Sequence, residues 1–281
     1  MEGEISELFV IAQALAVDIE FEFAPINKAE RGYQLLQPQS YPIQKPKLLE
    51  WTSIPKSLTV GDGFIAIFSQ LFAAWCANDK ALRFTKKRTA LLPLLEIIVR
   101  LQALLALIPL VLPRKATATL RAELQGLKDS LMQEEEDYLN ILCSARYARL
   151  MLACGAFIVV RPWLEGQKKE AMQLWQQPLQ QFVKTELEEG MLPFIELKKR
   201  APKMEISNIA DHQHAAQRLR IYSEWFLGLY QLEAAQVFFT VLCQIQSALQ
   251  GLGPLSVEED RVQLIQKLAE LGRRFSALVQ R

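Results

Sequence analysis

The sequence predicts an all-α protein of six to eight helices, in a long antiparallel bundle or an irregular helical array, with a proline-rich extended crossover near the N-terminus. Three observations carry this. Apolar residues recur at spacings of three and four along most of the chain, the period of a helix face. Prolines and glycines gather between those stretches, where helices stop. Only Asp18 to Phe23 alternates like a strand, and no second strand is apparent to pair with it, so continued helix is expected there.

Taken in order, Leu8, Ile11, Leu15 and Ile19 mark an amphipathic helix that Pro25 stops. From residue 24 to 59 the period is lost, and Pro25, Pro38, Pro42, Pro46 and Pro55 exclude a long helix. Tyr33, Leu36, Tyr41, Leu48 and Trp51 make that stretch too apolar for a free linker. It is expected to lie across the helical body or to fold onto a partner. Gly61 to Lys80 resumes helical spacing with Phe64, Phe68, Leu71 and Trp75 on one face, which core packing explains without a cofactor. Residues 89 to 113 form the most apolar stretch, with kinks expected at Pro93 and Pro109. The charges of Glu96 and Arg100 argue for a helix wrapped by others over one that spans a bilayer.

Residues 117 to 160 read as one helix or two with a joint, and Gly155 permits a close crossing. Pro162 ends that element, and 163 to 200 continues with kinks expected at Pro178 and Pro193. The charged stretch 196 to 203 is the expected join between a body, 1–203, and a C-terminal helical hairpin, 204–281. Residues 207 to 250 form the longest periodic segment, about 65 Å if it were one helix at 1.5 Å per residue. The last helix opens with Ser256 and Glu259 in capping-box spacing and carries the stripe Val262, Ile265, Leu268, Leu271, Phe275 and Leu278.

The chain has 281 residues, of which 51% are hydrophobic, enough to bury a substantial core. Its 32 basic and 31 acidic residues leave a formal charge of +1, so net charge gives no argument for a nucleic-acid partner. The opening MEGEISELF is acidic and lacks the basic stretch of a secretory leader. Four scattered cysteines form no CxxC and read as buried free thiols in a reducing, cytoplasmic setting. There is no GxSxG, GxGxxG or GxxxxGK[ST]. Asp211 and His214, three residues apart, lack the two Glu-x-x-His elements of a helical di-metal site. The acidic run Glu134 to Asp137, and Glu186 with its neighbours, read as solvated faces. No catalytic residue, cofactor or metal is assigned.

These features favour a non-catalytic adaptor, scaffold or assembly subunit acting through another protein or self-association. The expected docking residues are Val262, Ile265, Leu268, Phe275 and Leu278 on the last helix, with Tyr41 and Trp51 second. Arg83, Lys86, Lys87 and Arg88, near Phe84, form the expected anion-binding cluster, suited to an anionic lipid surface at the membrane periphery. The rival reading is an apolar-ligand or membrane-associated helical protein in which residues 64–75 and 89–113 line a cavity or touch lipid.

Overall fold

The apolar periodicity resolves into eleven α-helices among the residues that the computed structural model describes: 4–24, 30, 32, 35–36, 54–133, 138–195, 206–226, 229, 232–252 and 258–279. They are α1 (Ile5–Asp18), α2 (Val60–Thr85), α3 (Leu91–Leu107), α4 (Ala118–Gln133), α5 (Tyr138–Cys143), α6 (Ala145–Val159), α7 (Lys169–Gln176), α8 (Leu179–Ile195), α9 (Ile206–Phe226), α10 (Leu232–Leu252) and α11 (Glu258–Val279). The described residues contain no strand, only an isolated bridge between Thr59 and Pro178. The count exceeds six to eight because stretches that read as single helices are divided. Ser144 separates α5 from α6: its extended backbone leaves the helix, and its hydroxyl accepts the Tyr147 N–H at 3.1 Å as an N-cap. Residues 207 to 250 are not one rod but α9 and α10. Of the 24–59 crossover, residues 25–29, 31, 33–34 and 37–53 lie outside the described residues, as does the join expected at 196–203.

The chain divides into two compact units, residues 1–51 with 61–176, and 52–60 with 177–281. In the first unit an aromatic circuit ties α2, α6 and α7 together. Phe68 of α2 stacks on Phe157 of α6 at 4.5 Å, and Phe157 stacks on Trp163 at 4.7 Å. Trp163 meets Trp175 of α7 edge-on at 4.8 Å, and Trp175 returns to Phe64 of α2 at 5.8 Å. Phe64 and Phe68 are one helical turn apart, so the circuit closes. Each pair adds about 0.5–1.5 kcal/mol beyond the area it buries.

The turn that delivers Trp163 is set by local chemistry. Arg161 takes a left-handed backbone (φ 54°) and Pro162 follows, with no N–H to continue α6. The last carbonyls of α6 are then satisfied from below. Ala156 accepts the N–H groups of Val160 and Arg161, and Phe157 accepts the Trp163 indole N–H at 3.1 Å.

The close crossing expected at Gly155 is made by α1, whose Phe9 ring occupies the space a Cβ would need. α1 ends at Asp18, and the alternating stretch after it is extended rather than helical. Phe23 lies edge-on to Tyr147 at 6.4 Å while Glu20 and Glu22 face solvent, which accounts for the alternation without a sheet. α3 packs on α4, and Leu94, Ile98, Leu101 and Leu104 are fully buried. Pro93 sits in its first turn, where a missing N–H costs nothing, and Pro109 lies in the 3-10 turn that ends it. By length and composition alone, α2 and Leu91–Leu110 could each cross a membrane; about half of each is buried within the fold.

The second unit is a ring of four helices: α8 packs on α9 and α11, and α10 on both α9 and α11. Five residues between α9 and α10 reach about 17 Å extended, too little to return along a helix of 21 residues, about 31 Å. The two are therefore antiparallel, and Gln213 of α9 donates to the Leu249 carbonyl of α10 at 2.8 Å. The segment before α2 joins this unit: Val60 N–H donates to Gln177 and Leu179 N–H to Leu58.

Two glycine substitutions separate packing from helix propensity. A Cβ on Gly61 would lie 2.0 Å from Trp175 Nε1, inside the circuit, whereas on Gly126 it would meet only the movable tip of Arg146. Gly61→Ala is expected to destabilise the fold by about 1–3 kcal/mol in denaturant melts. Gly126→Ala is expected to stabilise it by about 0.5–1 kcal/mol.

Candidate functional site

Of the expected docking stripe on α11, Leu268 is packed inside the second unit. Leu268 has 0% of its surface exposed and Leu271 is buried beside it; Ile265 is half-buried and Val262 exposed. The side chains of Phe275 and Leu278, and the residues Tyr41 and Trp51, lie outside the described residues.

The apolar face that does look outward is on α1. Its side toward α6 is made of Phe9, Ala12, Gln13 and Ala16; the two alanines allow close approach, and of the four only Ala16 is fully buried. The larger residues of the stripe are displaced around the helix. Leu8, Ile11 and Leu15 are 45%, 50% and 53% exposed, and Ile5 and Ile19 extend the same strip. At 3.6 residues per turn, Leu8, Ile11 and Leu15 share an arc of about 60°. Glu4, Glu7 and Asp18 border that arc at both ends. No lysine or arginine occurs before Lys28.

Of the cationic cluster, Arg83 turns inward. Its Nε donates to Asp79 Oδ1 at 2.9 Å, another nitrogen donates to the Leu142 carbonyl, and the guanidinium lies over the Tyr147 ring at 5.8 Å. Asp79 is 0% exposed, and Tyr147 in turn accepts the Trp75 indole N–H at 2.8 Å. These groups join the end of α2 to α5 and α6. Burial raises the Asp79 carboxyl above its usual 3.8, against the pull of Arg83 and of the Tyr147 hydroxyl. Burial also pushes the Cys76 thiol up to about 11 and raises Cys154, so neither offers a reactive thiolate at neutral pH.

Lys86, Lys87 and Arg88 remain at the surface, on the turn between α2 and α3. Lys86 holds a left-handed backbone (φ 50°), its N–H returning to Leu82 at 2.8 Å to close α2. Two large apolar side chains flank the turn in sequence, Phe84 at 40% and Leu92 at 65% exposure. The aromatic face of α2 that a ligand cavity would have required is instead filled: Phe64, Phe68, Leu71 and Trp75 are fully buried core. Asp211 and His214 are both exposed on α9.

The Arg83–Asp79 pair makes a signed pH prediction. The folded carboxyl of Asp79 titrates above its unfolded value, so its contribution to stability is full below about pH 3.8 and is lost as pH rises through the folded value. Arg83→Met leaves that carboxylate buried without its cation and should cost about 3–5 kcal/mol at neutral pH. Part of the loss should return as the pH falls toward 4. The double variant Asp79→Asn/Arg83→Met lacks the titrating group and should lose this recovery. Denaturant melts across that pH range check the prediction, and a flat profile for Arg83→Met would refute it.

In fold the chain is similar to the CHAD domain from the plant Ricinus communis, whose crystal structure matches with a TM-score of 0.57 over 84% of this chain and 90% of that one. The sequences are 19% identical, so the likeness is one of fold alone. No protein-family model matches the sequence, and no curated protein matches it.

Proposed function

We propose that this chain is a non-catalytic helical interaction protein and that α1 carries its docking face. The observation behind this reading is the outward strip of Leu8, Ile11 and Leu15 on a helix whose other side is already seated on α6. Its chemistry selects among partners. Carboxylates at both ends of the strip, with no cation on α1 itself, disfavour nucleic acid and anionic lipid. A second copy fares no better. Two-fold pairing of α1 with itself, in either direction, brings carboxylates against carboxylates. The fitting partner is a different protein with an apolar groove rimmed by lysine or arginine.

Magnitude limits what the strip does alone. Each of the three half-exposed aliphatic side chains offers about 1 kcal/mol on burial, on the order of 3 kcal/mol together. Association costs about 4–15 kcal/mol in lost freedom, so α1 anchors a larger interface and is not the whole of it. A reducing, cytoplasmic setting belongs to the same reading, supported by four cysteines that are all free.

The test is affinity purification from the native host with the full chain and with Ile11→Asp/Leu15→Asp. The variant should retain the wild-type melting curve, because both side chains face solvent, and should lose the bound protein by roughly tenfold or more. The wild-type complex should weaken as salt rises. A partner held equally by both chains would overturn the assignment of α1.

A second reading concerns the α2–α3 turn, where Lys86, Lys87 and Arg88 are exposed and Phe84 and Leu92 flank them. Cations beside apolar side chains suit the surface of an anionic membrane. Vesicles containing phosphatidylserine should then sediment the protein and neutral vesicles should not. Lys86→Glu/Lys87→Glu should abolish the difference, and equal sedimentation by both vesicle types would sink this reading.

A further inference from the structure

The first unit also holds an open groove with a cavity volume of about 700 Å³, in the range of small-molecule sites. One face of α6 forms its floor: Arg146, Arg149, Leu150, Ala153 and Ala156 recur at the spacing of a helix face. Ala153 and Ala156 make the floor low. Leu120 and Thr119 of α4 supply one wall and Gln13 of α1 the other. Phe157, Pro162 and Trp163 close the far end. Two of these end groups belong to the aromatic circuit, so that end is rigid.

Polarity is graded along the groove. The charged lining residues, Glu123, Arg146 and Arg149, stand toward the first turns of α6, and the lining beyond Ala153 is apolar apart from Thr119. The charges are not equivalent. Arg146 Nε is paired with Glu123 Oε2 at 2.9 Å. Arg149 makes no ion pair among the described residues and lines a second hollow beside Gln13, Ala16, Val17 and Leu152. One uncommitted cation therefore stands at the head of an apolar trough. From Arg149 to Phe157 the trough runs about 12 Å at 1.5 Å per residue.

We infer that this groove binds a single-chain amphiphile with one anionic head, a phosphate monoester or a carboxylate. The head meets Arg149, and the aliphatic tail lies over Ala153 and Ala156 against Leu120, ending on Phe157 and Trp163. A polyanion is disfavoured by Glu123, and a neutral lipid leaves Arg149 unused. The site is separate from the docking strip: Gln13 faces the groove from the side of α1 opposite Leu8, Ile11 and Leu15, about half a helical turn away.

Calorimetric titration of the full chain with decyl phosphate, decanoate, decanol and inorganic phosphate tests this. Decyl phosphate and decanoate should bind one per chain, decanol roughly tenfold or more weaker, and inorganic phosphate not measurably. Arg149→Ala should weaken decyl phosphate by roughly tenfold or more and leave decanol unchanged. Ala153→Phe, which raises the floor, should abolish binding of both; if that variant melts abnormally, Leu120→Trp fills the trough from the α4 side. Ile11→Asp/Leu15→Asp should bind decyl phosphate as wild type does, so the groove and the docking strip fail independently. No binding of decyl phosphate overturns the inference, as does inorganic phosphate binding as tightly as decyl phosphate. So does decyl phosphate binding that survives both trough-filling variants, or that is lost only with Ile11→Asp/Leu15→Asp.

Discussion

The aromatic circuit through Phe64, Phe68, Phe157, Trp163 and Trp175 is the constraint on which the first unit depends. It fixes α6 against α2 directly through Phe68 on Phe157 and indirectly through Trp163, Trp175 and Phe64, so α6 cannot shift along α2 without disturbing the circuit. Everything on the outer side of α6 inherits that position. Gly155 is presented to Phe9, which seats α1. Ala153 and Ala156 are presented as a trough floor, and Phe157 and Trp163 serve as both core and end wall. Gly61 is the condition for the arrangement, since any side chain there would occupy the place of the Trp175 indole.

At the other end of the same pair of helices, the contact is made with charge instead of rings. Arg83, Asp79, Tyr147 and Trp75 bring a guanidinium, a carboxylate, a phenol and an indole out of water together. Such a group is a poor source of net stability, because desolvation offsets much of the attraction. Its directional bonds do set register: Arg83 reaches the Leu142 carbonyl only if α2 and the α5–α6 corner are aligned. The circuit supplies the apolar adhesion and the polar group the alignment. This division explains why Arg83 is withheld from the surface while Lys86, four residues from Leu82 in the closing turn, is left there.

Much of this architecture is legible in the sequence. The helical period, the prolines at 109, 162 and 178, and the close approach at Gly155 all follow from local chemistry that the chain states directly. What the period does not state is which way a stripe faces. The stripes of α1 and α11 are alike on paper, yet Leu268 is sealed inside a ring of four helices while Leu8, Ile11 and Leu15 stand in solvent. The difference lies in the residues beside the stripe. α1 offers Ala12 and Ala16 as an alternative small-residue side, and a glycine-bearing helix accepts that side in preference to the bulkier one. The carboxylates bracketing the α1 stripe were the signal that it stays exposed. For Arg83 the signal was Asp79 four residues before it, the spacing at which a helix pairs opposite charges. The groove left no trace, because its walls come from residues 13, 120 and 153, which only the fold brings together.

The likeness to a CHAD domain at 19% identity fits this picture of what is fixed and what is free. Helix packing accepts any set of side chains that fills the space and keeps the small residues at the crossings, so a backbone arrangement persists while most residues change. A recognition surface tolerates no such exchange. Replacing Arg149 or moving one carboxylate along α1 would leave the fold untouched and change what it meets. The chemistry of this chain must therefore be sought where its own residues break the rules of packing. An aliphatic strip that faces water is one such place, and an arginine with no ion pair among the described residues, beside an apolar trough, is another. The strip leaves apolar surface in water that a bound molecule would cover, and the exposed arginine is free to meet an anion.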